Sequence, residues 1–319
     1  MMTEIPVLRG FIRMCQDGWE QGWHERNGGN LTYRMKPEEV EACRPFFNEP
    51  REWNTMGVSA ENLAGEYFIT TGSGKFLRNV QEDPAHNIGI VEINAAGDAW
   101  RIVWGLEDGA RPTSEFPSHF MNHSVRKAAT NGAYRVIYHA HTPNLIAMTY
   151  ILPLTARDFT RALWQSATEC PVVFPGGVGV VEWMVPGGAD IALATSKLMK
   201  QYDAAVWAHH GLFVSGPDFD ITFGLMHTIE KAAQIYMLAM SASGGKIRQT
   251  ITDDNPIPNA DSSGERATTG ANIPEKRSSK ILRKRRGHLL LWKILIPMSR
   301  CTSKLQMGNP MISWCQAII

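Results

Sequence analysis

The chain has little of what marks several protein classes. Its five cysteines (Cys15, Cys43, Cys170, Cys301 and Cys315) are widely spaced and form no C-x-x-C pair, which argues against a disulfide framework and a thiolate zinc site and fits a reducing compartment. An excess of one charge is absent too. Lys and Arg total 32 and Asp and Glu 31, so the formal charge is +1 and there is no overall electrostatic footprint for nucleic acid. No apolar run reaches the length of a membrane span; "LLLWKILI" is too short and carries Lys293. The opening "MMTEIPVLRGFIRMC" lacks a basic region followed by a long apolar stretch and a small-residue cleavage site, so no secretory signal and a cytoplasmic location are expected. No internal repeat is visible, and "GSGK" lacks the G-x-x-x-x-G-K-[ST] spacing of a Walker A loop.

What is present divides the chain in two. At 319 residues it can bury a sizeable core. Residues 1–250 hold 21 basic and 26 acidic residues, whereas residues 251–319 hold 11 and 5, so a mildly acidic body precedes a basic tail. From residue 253 onward Pro, Ser, Gly, Thr and clustered charge replace any periodicity, and that segment is expected to be disordered. "KILRKRRGH" within it reads as a solvated charge run before it reads as a binding surface.

Along the body, Val7, Phe11, Cys15 and Trp19 recur at helical intervals until "RNGGN". "GEYFITTGSGKF" predicts a strand entering a glycine loop, and "NIGIVEINAAGDAWRIVWG" predicts a hairpin around Gly-Asp. Residues 116–129 and the segments "NLIAMTYIL" and "ARDFTRALWQSA" are expected to be helical, whereas "YRVIYHAH", "VGVVEWMV" and "AAVWAHHG" are expected to be strands. Residues 223–243 give the strongest helical pattern, closed by Gly244 and Gly245, with a methionine stripe that reads as core. Helices and strands mix without a regular βαβ rhythm, so the sheet is at least partly antiparallel.

Chemistry concentrates in a few words. In "VIYHAHTPN", His139 and His141 are two residues apart at the end of an apolar strand and so project to one side, as two ligands of one metal would. Spacing alone does not separate such a pair from ordinary strand histidines. "VWAHHGLF" supplies His209 and His210; in a strand these face opposite ways, and His210, beside Gly211, is the better third ligand. Three imidazoles leave an open position on zinc, as catalysis requires. "RPTSEFPSHF" sets Thr113, Ser114 and Glu115 at a loop leading into a helix, where donors can hold an anion and a carboxylate can move protons, although the same residues also suit a plain helix start. "RNGGN" and "TTGSGKF" offer amide, hydroxyl and backbone donors on glycine turns, which also read as ordinary turn chemistry.

The order of these words, together with "GWHERNGGNLTYR", "TECPVVFPGGVG", "WMVPG" and "HGLFVSGPDFDITFGL", resembles the class II aldolase/adducin family from about residue 5 to 252. The resemblance implies a single α/β domain over 1–252, with a central, mainly antiparallel sheet flanked by helices, assembled as a homotetramer with active sites between subunits. It implies one Zn²⁺ per subunit on His139, His141 and His210. The activity it implies is reversible retro-aldol cleavage of the small sugar phosphate L-rhamnulose 1-phosphate into dihydroxyacetone phosphate and L-lactaldehyde, with no nucleic-acid or membrane partner. Glu115 matches the family's acid/base, and Glu169 matches a second carboxylate acting at the aldehyde end across the subunit boundary. The phosphate would rest on Asn27, Gly28, Asn30, Ser73, Thr113 and Ser114, a neutral cradle. Sibling activities on other ketose phosphates and a non-catalytic scaffold share this fold. The segment 253–319 departs from the family, and Pro256 and Pro258 would stop a helix there.

Overall fold

The computed structural model describes residues 1–252, so the expectation of a disordered tail over 253–319 lies outside the described residues. Nine strands form one sheet: β1 (Asn30–Arg34), β2 (Asn54–Thr55), β3 (Tyr67–Thr71), β4 (Ile88–Ile93), β5 (Ala99–Gly105), β6 (Val136–Ala140), β7 (Gly179–Val181), β8 (Ala204–Trp207) and β9 (Gly211–Gly216). Their spatial order is β2-β5-β4-β3-β1-β6-β9-β8-β7. Every pairing is antiparallel except β7 with β8, so the expected mainly antiparallel sheet stands, with one parallel edge.

Both faces of the sheet are covered, and the period of two in the strands assigns their side chains to separate cores. On one face Leu31, Tyr33, Ile69, Ile90, Val136 and Tyr138 pack with Leu8 and Phe11 of the helix Pro6–Glu20 and with Met226 and Ile229 of the helix Phe219–Ala242. On the other, Phe68, Val91 and Ile102 meet Phe116 and Phe120 of the helix Phe116–Ala129. Beside them Ile137, Trp207 and Phe213 meet Ile191 of the helix Ala189–Leu198. Two-sided burial explains why β4 is buried along nearly its whole length instead of alternating with solvent. Each large side chain removed from water in this way contributes about 1.5–3 kcal/mol.

Most expected elements are present, with informative differences. The long helix begins at Phe219, earlier than its apolar stripe, because the Asp218 carboxylate accepts the Ile221 N–H at 2.8 Å and caps it. "VGVVEWMV" yields only Gly179–Val181. Its one partner, β8, ends at Trp207, opposite Val181, so the ladder has nothing further to pair with. The strand expected over "AAVWAHHG" also stops at Trp207. Ala208, His209 and His210 form the turn of the β8–β9 hairpin, with His209 at φ +60°, so these two histidines are turn residues rather than strand neighbours facing opposite ways.

Candidate active site

Register brings the predicted words to one end of the central strands. Asn30 at the start of β1 pairs with His139 near the end of β6, and Ala140 pairs with Leu212 at the start of β9. On the other side of β1, Leu31 N–H donates to the Thr71 hydroxyl at 3.2 Å, where β3 runs out into the Gly72–Lys75 loop. That loop joins the one before Glu115 through a bridge between Gly72 and Pro112, and Ser73 N–H donates to Arg111 O at 2.9 Å. Five segments far apart in sequence thus converge at one end of the central strands.

The three histidines form a cluster there. The candidate ligand atoms of His139, His141 and His210 lie within 4.8 Å of one another, and among the described residues this is the sole group of three such side chains able to hold a metal. Nε2 of His139 stands 3.3 Å from Nε2 of His210. Two nitrogens at tetrahedral positions about 2.0–2.1 Å from zinc are separated by about 3.3–3.4 Å, so this pair already has the spacing of two ligands. His139, 1% exposed, donates from Nδ1 to Leu212 O at 3.0 Å, which leaves Nε2 with a free lone pair. Burial, and then the neighbouring His210 and His141, hold His139 well below the ordinary imidazole range, and burial followed by His141 lowers His210 to about 4. Both are therefore neutral near pH 7, the state a metal needs. Nδ1 of His210 is buried with no hydrogen-bond partner. The three-imidazole donor set and the neutral state of His139 and His210 fit a divalent metal.

The packing behind the cluster keeps it rigid. The Trp207 ring lies 4.5 Å from that of His139 and 5.2 Å from that of His210, and its indole N–H donates to Thr195 Oγ1 at 2.9 Å. Gly211 follows His210 because a Cβ there would sit 2.4 Å from Ala140 O, so only glycine lets β9 approach β6 this closely.

Glu115 is the N-cap residue of its helix, yet its carboxylate makes no capping bond. It instead accepts the Asn30 Nδ2–H at 2.9 Å and is 8% exposed. Burial raises its pKa, while the Asn30 hydrogen bond and the nearby His141 pull it down. A buried carboxyl with raised affinity for protons beside a cluster of three imidazoles suits proton transfer at carbon.

The remaining predicted residues fall unevenly. Thr113 is buried, its hydroxyl accepting the Glu115 N–H at 3.3 Å, and exposed Ser114 follows it. Asn27 and Ser73 are exposed and Gly28 half-buried on the loops that converge here. Asn30 already gives one amide hydrogen to Glu115, and its Oδ1 is buried without a partner. Glu169 is exposed at the start of Cys170–Val173, and it joins neither the histidine cluster nor Glu115 in any hydrogen bond or ion pair among the described residues of this chain.

Sequence reasoning missed three features. Glu25 Oε1 lies 2.6 Å from Nδ1 of His141. His24, next to it, points the other way into the core, with Nε2 2.7 Å from Tyr138 OH and Nδ1 3.0 Å from Gly28 O. The Thr32 hydroxyl stands 2.8 Å from Nδ1 of His119 and 2.8 Å from Nε2 of His123, which ties β1 to the helix that Glu115 opens. The one sequence signal for the last was the four-residue spacing of Glu115, His119 and His123, which sets them along one helix face.

Residues 9–237 match the Class II Aldolase and Adducin N-terminal domain. A rhamnulose-1-phosphate aldolase of Klebsiella pneumoniae subsp. pneumoniae is 46% identical over 259 residues, which is 81% of this chain and 93% of that protein. One of Escherichia coli O81 is 46% identical over 256 residues, covering 80% of this chain and 93% of its own. Among solved structures, a sugar-phosphate aldolase from Thermotoga maritima superposes with a TM-score of 0.63 at 25% identity, over 79% of this chain and 98% of that one. Shared fold, near-complete coverage of these relatives and the domain match together place the chain in the class II aldolase and adducin family.

Proposed function

We propose that this protein catalyses the reversible cleavage of L-rhamnulose 1-phosphate into dihydroxyacetone phosphate and L-lactaldehyde, with Zn²⁺ held by His139, His141 and His210. The observation that carries the reading is the cluster of three histidines with a buried Glu115, its pKa raised by burial, beside it, in a chain 46% identical to rhamnulose-1-phosphate aldolases. A divalent metal bound there supplies Lewis acidity for the charge that cleavage leaves on the three-carbon fragment. The chain's own residues do the rest. In the cleavage direction a proton leaves the C4 hydroxyl as the aldehyde forms, and another arrives at C3. Glu115, whose burial favours its protonated form, delivers the second and takes it back in synthesis. Glu169, contributed across a subunit boundary, serves the aldehyde end. Asn27, Gly28, Asn30, Ser73, Thr113 and Ser114 receive the phosphate through neutral donors on loops that meet at one end of the central strands.

Assembly as a homotetramer accounts for the exposed apolar side chains on the segments flanking Glu169, among them Tyr150, Ile151, Val173, Trp183 and Val185. A phosphorylated sugar substrate and the free thiols of Cys15, Cys43 and Cys170 suit the cytoplasm, and among the described residues no helix is long and apolar enough to cross a membrane. The catalytic domain is residues 1–252, with 253–319 outside it; limited proteolysis leaving an active core that ends near residue 250 checks this boundary.

The deciding experiment measures zinc content together with dihydroxyacetone phosphate release, before and after chelation and zinc restoration. About one zinc per chain with chelator-sensitive cleavage is expected. Cleavage that survives complete metal removal overturns the reading.

A further inference from the structure

We propose that Glu25 is the positioning residue for His141: its carboxylate accepts a hydrogen bond from the Nδ1–H and so turns Nε2, with its lone pair, to the metal. This rests on the metal-site reading above. A carboxylate only accepts hydrogen bonds, so a 2.6 Å contact between Glu25 Oε1 and His141 Nδ1 puts a proton on Nδ1 and leaves Nε2 as the nitrogen that can face a metal.

His141 needs such support more than its neighbours do. β6 ends at Ala140, so the sheet no longer holds the residue, whereas His139 lies within the strand and has Leu212 O on its own Nδ1. One short segment grips His141 at three points. Its backbone N–H donates to Trp23 O at 3.1 Å, its ring nitrogen meets Glu25, and its ring edge packs on Gly28, where an added Cβ would lie 2.9 Å from Cε1. That segment is itself fixed from the core side. His24 bonds Tyr138 OH and Gly28 O, and Gly28 N–H donates to Glu25 O at 2.8 Å, closing the turn from which the carboxylate extends. Buried His24 and exposed Glu25 are adjacent residues sent in opposite directions, one anchoring the turn and the other reaching the site. The carboxylate also places an acidic side chain beside three imidazoles.

The Glu25 side chain is 65% exposed, and an exposed pair of this kind adds little to stability, so a positioning role and a structural role separate cleanly. The test uses the full chain and its Glu25→Ala and Glu25→Gln variants. Zinc dissociation constants are read by competition with a chromogenic chelator, the cobalt-substituted proteins are compared by absorption spectrum, and the metal-free proteins are melted. Because Asn27, Gly28 and Asn30 on the same turn are assigned to phosphate, turnover is not the readout. Glu25→Ala is expected to weaken zinc binding by about 10- to 100-fold and alter the cobalt spectrum with an unchanged metal-free melt. Glu25→Gln, whose amide oxygen still accepts the Nδ1 proton but without charge, is expected to lose about 3- to 10-fold. Glu25→Ala with wild-type zinc affinity and cobalt spectrum overturns the proposal while leaving the metal site intact. If Glu25→Ala melts early, Glu25→Gln with wild-type affinity and spectrum does the same. A wild-type chain that takes up neither metal overturns the metal-site reading itself, and this proposal with it.

Discussion

Replacing Gly28 by alanine adds one methyl group and tests whether the turn shapes the metal site. The backbone does not forbid it, since Gly28, unlike Gly29 at φ +74°, does not adopt the left-handed conformation. The new Cβ would meet Cε1 of His141 at 2.9 Å, Nδ1 of His141 at 3.0 Å and Glu25 O at 3.0 Å. Unstrained contacts of this kind run to about 3.5–4.0 Å, so something retreats by about 0.5–1 Å. Glu25 O cannot, because it accepts the hydrogen bond that closes the turn, whereas the imidazole is partly open to solvent and can. Metal–ligand distances tolerate only about 0.2 Å, and a displacement of about 1 Å in a positioned group costs about 10²-fold. Zinc binding should therefore weaken by about 10- to 100-fold, or about 1.4–2.8 kcal/mol, with the metal-free fold unchanged. Gly29→Ala is the contrasting case: its Cβ would lie 2.4 Å from Nδ1 of His24 and 2.7 Å from His139 O, so it should lower the melting temperature of the metal-free protein. Chelator competition and circular-dichroism melts on both variants separate the two effects. Wild-type zinc affinity in Gly28→Ala would refute the grip of the turn on His141.

The histidine cluster was legible in part because strand geometry is local. Two residues apart at the end of β6, His139 and His141 project together, and their ring centroids stand 5.3 Å apart even though the strand ends between them. His210 was reached by a strand argument that the structure replaces: a hairpin turn with His209 at φ +60°, together with the close approach that Gly211 permits, brings it to His139. What the sequence could not reveal is long-range. Glu25 and His141 are 116 residues apart, and no periodicity links them. The neighbours of β1 are β3 and β6, set by which faces can be buried on which helices, and that choice also carries Asn30 to Glu115 and Thr32 to His119 and His123. The length of β7 was likewise hidden, because it depends on where its partner β8 turns.

Glu115→Gln should keep zinc affinity and lower kcat by about 10²- to 10⁴-fold, measured by coupled assay of dihydroxyacetone phosphate; a loss below tenfold would remove Glu115 from proton transfer. If Glu169 acts across a boundary, mixed refolding of Glu115→Gln with Glu169→Gln subunits should restore activity that neither variant shows alone, and no recovery would confine both groups to one subunit. Acid should weaken the metal-free fold through histidines buried in neutral form. Burial lowers His24 to about 4 and His119 to about 3, against 6.5 in the unfolded chain. Between pH 6.5 and 5 the unfolded chain therefore takes up protons that the folded chain refuses, and stability falls as pH falls. Over that interval each group costs about 2 kcal/mol, at 1.36 kcal/mol per pH unit, so the pair removes about 4 kcal/mol. Glu115 and Glu230, whose carboxyls burial raises, act in the opposite sense and offset part of this. His123, His139 and His210, also lowered by burial, add to the loss, so urea unfolding at pH 5 should give a stability at least about 2 kcal/mol below that at pH 7, and His24→Gln should flatten the slope by up to one proton. Equal stability at the two pH values would mean that these imidazoles accept protons inside the fold, and that burial does not hold them neutral.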